Sequence, residues 1–398
     1  MTPTLYITRN GLLEPLGQSQ VFSYLKGLSQ DYQITLITFE KPEDLINIQA
    51  VAKAKKDCDT YGIEWHFKKF RRQPKFLAPF WSLFEMFWAA YNVSKNGNVK
   101  LIHARSYMPA AAAWAVNRLT GTPFIFDMRA LWPEELIVSG RLKRGSVMHK
   151  ILTNLEKVCL RDAAVVVSLT NAAVKYLCCM YPNEIHKQRI TVIPTCADLE
   201  RFKPSDKQTI NRVYGCVGTL LSGWFLRDWL STFFNVVAKK DPEAKFEIIT
   251  RDDASMVRLA LDVNGKLGSR LSIFSCKPEN IHKKLREHST SAMFFTTGKS
   301  KLGSAPTRLA EALGCALPVI ANDGVGDVAE IIRHYNVGVI VKNDSDEAMK
   351  IAFSELEILC SDPNLPTRCR KAAEKVFSLH AGTQAYRKVY SQIVASSD

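Results

Sequence analysis

The sequence lacks an apolar run long enough to cross a bilayer. Its most hydrophobic stretch, Phe76 to Tyr91, is interrupted by Glu85 and falls short of the ~20 residues a spanning helix needs. It also lacks an export signal: the opening Thr4–Thr8 reads as a short strand, without a basic leader or long apolar core. None of the ten cysteines forms a C-x-x-C pair, and the adjacent Cys178-Cys179 lies in a helical pattern. That spacing argues against a structural metal site, and scattered thiols without an export signal suit a reducing compartment. The expectation is therefore a cytoplasmic chain, in contact at most with the cytoplasmic face of the inner membrane. No short repeat is present, which argues against solenoids and propellers. No G-x-G-x-x-G follows the first strand of either half, which disfavours a dinucleotide-dependent oxidoreductase.

Positive charge is abundant. Lysine and arginine number 53 against 39 acids, a formal charge of +14. Such an excess attracts nucleic acid, anionic membranes or phosphorylated substrates without choosing among them. With 398 residues, 46% of them hydrophobic, the chain exceeds the ~250–300 residues at which a single core stops growing.

β-rich apolar runs alternate with helical segments throughout. The first set comprises Thr4–Thr8, Gln33–Phe39, Ile63–Phe67, Val99–Ala104, Pro123–Asp127, Ala163–Ser168 and Ile190–Ile193, with helices such as Gly17–Ser29 and Met108–Leu119 between. A second set, Val213–Gly218, Lys245–Thr250, Arg270–Phe274, Ser291–Phe295, Leu317–Ile320 and Gly338–Val341, follows the proline-bracketed segment Pro194–Pro204. Continuous apolar strands separated by helices mean βαβ units and buried parallel sheets. The expected fold is α/β, two Rossmann-like doubly wound domains spanning 1–195 and 196–378 and facing across a cleft. Residues 379–398 form a final helix whose stripe of Tyr386, Val389, Tyr390 and Ile393 docks on the first domain.

The strongest local signal is Lys299-Ser300-Lys301-Leu302-Gly303-Ser304-Ala305-Pro306-Thr307-Arg308-Leu309-Ala310-Glu311, after a predicted strand and opening a helix. Ser304 suits an N-cap and Pro306 a first turn. Free backbone N–H groups at a helix start attract anions. Lys299, Lys301, Arg308 and the hydroxyls of Ser304 and Thr307 add donors suited to a pyrophosphate. Glu311, one turn beyond Thr307, shares its face and can accept two hydroxyl hydrogen bonds, as from a ribose. A merely well-capped helix beside solvated lysines would read the same way.

The segment Ser304 to Asp327, ending Gly-Val-Gly-Asp, resembles the donor-binding region of glycosyltransferase family 4, of the GT-B fold. The likeness extends to Asn10-Gly11-Leu12, Pro15-Leu16-Gly17-Gln18-Ser19-Gln20, Phe126-Asp127-Met128-Arg129 and Val192-Ile193-Pro194-Thr195, in order along nearly the whole chain. It implies retaining transfer from a nucleotide-diphosphate sugar to a glycan or lipid-linked acceptor, without a required metal or other cofactor. Lys301, Gly303, Ser304, Thr307, Arg308 and Gly17 would meet the donor phosphates, Glu311 the ribose, and Arg251 and Lys277 the base. Two departures stand out. Many members carry a glutamate where this chain has Gly303. Many also place an arginine and a lysine after the first strand of the second domain, where Gly218–Trp224 holds no cation and Arg227 follows.

The resemblance places the loop Arg9-Asn10-Gly11 over the reaction centre. His103, Arg105, Asp127 and Arg129 lie at strand carboxyl ends, which face the ligand in such sheets. Asp127 often corresponds to a histidine in the family and is the first candidate for a base; Glu134 and Glu135 are alternatives, and the leaving phosphate can itself take the proton.

Between His66 and Tyr91, Lys68, Lys69, Arg71, Arg72 and Lys75 precede a run dense in Phe and Trp. Cations beside large aromatics suit an anionic lipid surface, and a core helix behind a basic loop is the competing reading. No nucleic-acid motif is present. A sugar transferase acting in cell-surface polysaccharide or lipopolysaccharide synthesis is the favoured reading. An epimerase of the same fold, or a non-catalytic binding subunit, is the alternative.

Overall fold

A computed structural model describes residues 1–74, 78–185, 189–205 and 212–396. The chain divides into two units, one made of Met1–Pro194 with Leu379–Asp398, the other of Thr195–Ser378.

The first unit is built on β1 (Thr2–Thr8), β2 (Tyr32–Glu40), β3 (Glu64–Lys69), β4 (Leu101–Arg105), β5 (Phe124–Met128), β6 (Val165–Ser168) and β7 (Ile190–Val192). Their order across the sheet is β3-β2-β1-β4-β5-β6-β7, with every pairing parallel. All five residues of β4 and all five of β5 are buried. Helices on both faces produce this, and it explains why these strands read as unbroken apolar runs.

The second unit repeats the scheme with β8 (Val213–Val217), β9 (Lys245–Ile249), β10 (Leu271–Phe274), β11 (Thr290–Met293), β12 (Val319–Asn322) and β13 (Gly338–Val341), ordered β10-β9-β8-β11-β12-β13. Its two hydrophobic clusters lie on opposite faces of the sheet. One gathers Leu309, Leu313, Val319 and Ile332, the other Phe233, Phe246, Phe294 and Phe353.

Both sheets change winding direction at their first strand. β1 lies between β2 and β4, and β8 lies between β9 and β11. At such a switch point the flanking loops diverge and leave a crevice beyond the strand carboxyl ends, where open α/β sheets take their ligands. The loops opening there are the ones following β1 and β4, and those following β8 and β11.

The final helix, Leu379–Ala395, belongs to the first unit and buries Tyr386, Val389, Tyr390 and Ile393. Among the described residues, no helix is long and apolar enough to cross a membrane.

Candidate functional site

In the second unit, the predicted phosphate segment follows β11. Lys299–Gly303 forms a 3-10 helix, and Ser304 closes it, its N–H donating to the Lys301 carbonyl at 3.1 Å. The expected N-cap at Ser304 is therefore corrected. The α-helix Thr307–Gly314 starts after Pro306, whose extended backbone occupies the cap position without a side-chain bond. A tight turn consumed the serine, and proline, which has no N–H to lose, took its place.

Lys301 is buried, with Nζ 2.9 Å from the centroid of the Trp224 ring. An ammonium on an indole face is held electrostatically by the ring quadrupole. Trp224 follows the turn after β8, and its carbonyl accepts from the Thr296 N–H at 2.9 Å. The loops after β8 and β11 are thus tied together at the switch point. The Lys301 carbonyl also accepts from the Gly326 N–H at 2.9 Å, fixing the Gly324–Asp327 loop beside it. Lys299 stays exposed, while Gly303 is buried and Thr307 half-buried.

Glu311 is 8% exposed and bonds Arg308 one turn back. Burial pushes its carboxyl above the ordinary value, with Arg308 opposing the shift. The pair joins a buried carboxylate to a half-buried guanidinium on the first turns of this helix, and charged groups of this kind make the stronger hydrogen bonds to hydroxyls and anions. Arg251 and Lys277 are exposed residues after β9 and β10, across β8 from the Lys301 segment. The Lys277 loop is braced by Arg201, whose guanidinium bonds the Pro278 carbonyl. The sequence singled out neither Arg201 nor Trp224, and neither stands in a motif that could have flagged it.

In the first unit, His103, Asp127 and Arg129 come together at the ends of β4 and β5. His103 Nε2 lies 3.2 Å from Asp127 Oδ2, while its Nδ1 lies 2.7 Å from the Tyr390 hydroxyl. Arg129 Nη1 donates to Asp127 Oδ1 at 3.3 Å, and the Tyr386 hydroxyl donates to Oδ2 at 3.2 Å. Arg105 Nη1 lies 3.7 Å away. Burial would raise the Asp127 carboxyl, but Arg129, His103 and Arg105 outweigh it and hold it well below the usual carboxylate range. Burial likewise lowers His103, against the pull of Asp127, and favours the neutral ring. A carboxylate so strongly ionised is a poor proton acceptor and a firm anchor. Glu134 is also engaged, by Arg144 at 2.6 Å and the Tyr176 hydroxyl at 3.0 Å; Glu135 is half-buried on the same helix, Trp132–Val138.

The loop after β1 is held by a residue that sequence reasoning passed over. Glu40, fully buried at the end of β2, accepts the N–H of Leu12 at 2.6 Å and of Leu13 at 3.1 Å. The strand-end rule that singled out Asp127 applies to Glu40 equally. Gly17 does not open its helix, as the expected Gly17–Ser29 would have it. It ends the short helix Pro15–Gly17, which continues into a π-helical turn, Gln18–Phe22, and then Ser23–Leu28. A Cβ on Gly17 would collide with the Gly11 carbonyl oxygen, and one on Gly11 with the Glu40 carboxylate. Gly17→Ala is expected to lower stability by ~1–3 kcal/mol, the usual cost of overpacking, read as a shifted midpoint in denaturant titration.

The profile described as Glycosyltransferase Family 4 matches residues 18–201, and that described as Glycosyl transferases group 1 matches residues 234–376. The chain is similar in structure to sucrose-phosphate synthase from Thermosynechococcus elongatus, with a TM-score of 0.71, 14% identity and 100% of both chains covered. It is also similar to Anabaena HepE in complex with UDP-glucose, with a TM-score of 0.69, 14% identity, and 98% of this chain and 100% of that one covered. A third similar structure is the lipopolysaccharide outer core galactosyltransferase WaaB, with a TM-score of 0.66, 11% identity, and 98% and 100% covered. None of the curated proteins compared with it matches in sequence.

Proposed function

Because the chain belongs to glycosyltransferase family 4, a family of GT-B sugar transferases, we propose that it moves a sugar from a nucleotide-diphosphate donor to a hydroxyl of a glycan or lipid-linked acceptor, with retention at the anomeric carbon. The observation that carries this reading is the pairing of half-buried Arg308 with buried Glu311 on the helix that opens beside Lys301 and Trp224 at the β8/β11 switch point.

In this reading the donor diphosphate lies against Lys301, Arg308 and the hydroxyls of Ser304 and Thr307, beside the backbone of Gly303. Glu311 accepts from the ribose hydroxyls, and Arg251 and Lys277 lie beside the base. Lys301 takes over the phosphate charge that a cation after β8 would otherwise meet, and the Trp224 ring fixes its reach. Backbone at Gly303 faces the sugar, where a side chain is missing. Charge on the departing diphosphate develops against these fixed donors, which is where pre-organised electrostatics lowers a barrier most.

The bond from the anomeric carbon to the diphosphate oxygen breaks, and a bond to the acceptor oxygen forms on the same face. The acceptor's proton passes to the departing phosphate oxygen. Asp127 then serves as an anchor at the end of β5, with His103 and Arg129 as positioning residues in the acceptor-binding unit. HepE was solved with UDP-glucose and WaaB is described as a lipopolysaccharide galactosyltransferase, which supports a uridine diphosphate sugar and a role in cell-surface glycan synthesis.

The test is a calorimetric and thermal-shift screen of UDP, GDP, ADP and their sugar conjugates. Selective stabilisation by one nucleotide is expected, followed by transfer with the anomeric configuration kept in the product. A protein that binds none of them would overturn the donor site, and an inverted product would overturn the same-face step.

A further inference from the structure

The helix Ala78–Asn96 is amphipathic in the wrong sense. Its buried side carries Ala78, Ser82, Met86, Ala90 and Ser94, four residues apart and mostly small. Its outer side carries the large apolar groups: Phe80, Trp81, Phe84 and Trp88 are 63%, 51%, 57% and 53% exposed. A surface helix of a globular protein ordinarily does the opposite, and a contiguous exposed apolar face marks a surface that something else covers. The small side gives the helix the core contact that the competing reading expected, while the exposures take Phe80, Trp81, Phe84 and Trp88 out of that core.

The charges beside this face indicate what covers it. Lys68 and Lys69 are exposed at the end of β3, the edge strand of its sheet, and Arg71 and Arg72 follow, also exposed. Arg71 joins the two features directly. Its guanidinium bonds Glu85 at 3.2 Å and lies 5.5 Å from the Trp81 ring centroid. Glu85, the helix's one acid, also accepts from Trp81 Nε1 at 2.8 Å. The acid is thereby paired by Arg71, as Arg72 is by Glu43, and the exposed Lys68 and Lys69 lie along one side of the aromatic face. Lys75 lies outside the described residues.

We propose that this face is a membrane-docking surface for anionic phospholipid. The helix lies in the plane of the bilayer, with Phe80, Phe84 and Trp88 at the acyl boundary and Lys68 and Lys69 on the headgroups. Indole and phenyl rings partition to this depth, and a basic segment beside them adds attraction to anionic lipid. A second copy is a poorer occupant, because pairing these faces would bring two basic segments together on a chain already carrying +14. This inference does not depend on the identity of the donor.

The experiment is co-sedimentation of the full chain with vesicles of phosphatidylcholine alone and of phosphatidylcholine with phosphatidylglycerol. Wild type is expected to pellet with the mixed vesicles only, less so at high salt. Phe84→Ser/Trp88→Ser should weaken binding roughly tenfold or more, from the apolar area withdrawn from lipid. Lys68→Gln/Lys69→Gln should weaken it by at least about tenfold, from two lost headgroup contacts. Lys55→Gln/Lys56→Gln, the same charge removed from another exposed helix of this unit, should leave it nearly unchanged. Thermal melting checks that the variants fold, and quenching of wild-type tryptophan emission by brominated phospholipid needs no variant at all. Failure to bind mixed vesicles, equal losses from both lysine pairs, or an unquenched wild type would each overturn the proposal. So would a dimer that Phe84→Ser/Trp88→Ser abolishes in sedimentation velocity, which would assign the face to a second copy.

Discussion

Asp127→Ala is expected to destabilise the first unit by about 3–5 kcal/mol, the range for stripping one partner from a buried ionic group. The substitution leaves Arg129 and Arg105 facing each other without their shared carboxylate and removes the acceptor for His103 and the Tyr386 hydroxyl. Urea titration reports the loss, and protease cutting near Leu379 should accelerate, because Tyr386 and Tyr390 bind the final helix to this cluster. Asp127→Asn separates anchor from base. An anchor lost to amide costs stability and leaves kcat of the surviving folded enzyme largely intact, whereas a lost base would cut kcat in a protein of undiminished stability. The pH dependence has a definite sign. Asp127 is depressed in the folded protein, so its contribution is present above the ordinary carboxylate pKa and is lost as pH falls. His103 is lowered from 6.5, so its protonation favours the unfolded chain as pH falls below that value. Both groups, with Tyr6, Tyr386 and Tyr390 around them raised by burial, predict a first unit that weakens on acidification and holds at pH 7 to 8.

Glu311→Ala is expected to weaken donor binding by roughly 10- to 100-fold, since hydrogen bonds to a charged group contribute ~1.5–3 kcal/mol. The loss should appear in calorimetry with the nucleotide alone, because in the proposed donor site the carboxylate meets the ribose and not the transferred sugar. Glu311→Gln keeps an acceptor and the shape but not the charge that holds Arg308, so its loss should be smaller. Burial raises the Glu311 carboxyl, and the accepting form is the ionised one. Donor affinity should therefore fall on acidification at a higher pH than an ordinary glutamate would dictate. An affinity that Glu311→Ala leaves unmoved would separate this helix from the ribose.

Much of this architecture was readable in the letters, for a physical reason. Strands such as Phe124–Met128 are buried on both faces, so they appear as short apolar blocks between helices. The edges were less readable. β3 runs on through Lys68 and Lys69 because Phe39 and Glu40 supply backbone partners that no side-chain pattern announces. At the proposed donor segment the residue types were legible and the local geometry was not, since a 3-10 turn overrode the capping preference of Ser304. Lys301 is covered by Trp224, far back in the chain, and Asp127 accepts a hydrogen bond from Tyr386, 259 positions away. Pairings at that separation leave no local trace. Glu40 escaped notice for a different reason: it stands at a strand end as Asp127 does, but it holds a backbone turn, a role that no motif announces.

The first unit is also discontinuous in the chain, closing only when Leu379–Ala395 returns to it. During synthesis this has a consequence for order. The ribosome releases β1 through β7 long before Tyr386 and Tyr390 exist, so His103 and Asp127 wait with open sides while Thr195–Ser378, contiguous in sequence, is made and folds. The N-terminal half is begun first and finished last, and a nascent chain stalled before Leu379 should hold a mature second unit beside a first one still sensitive to protease.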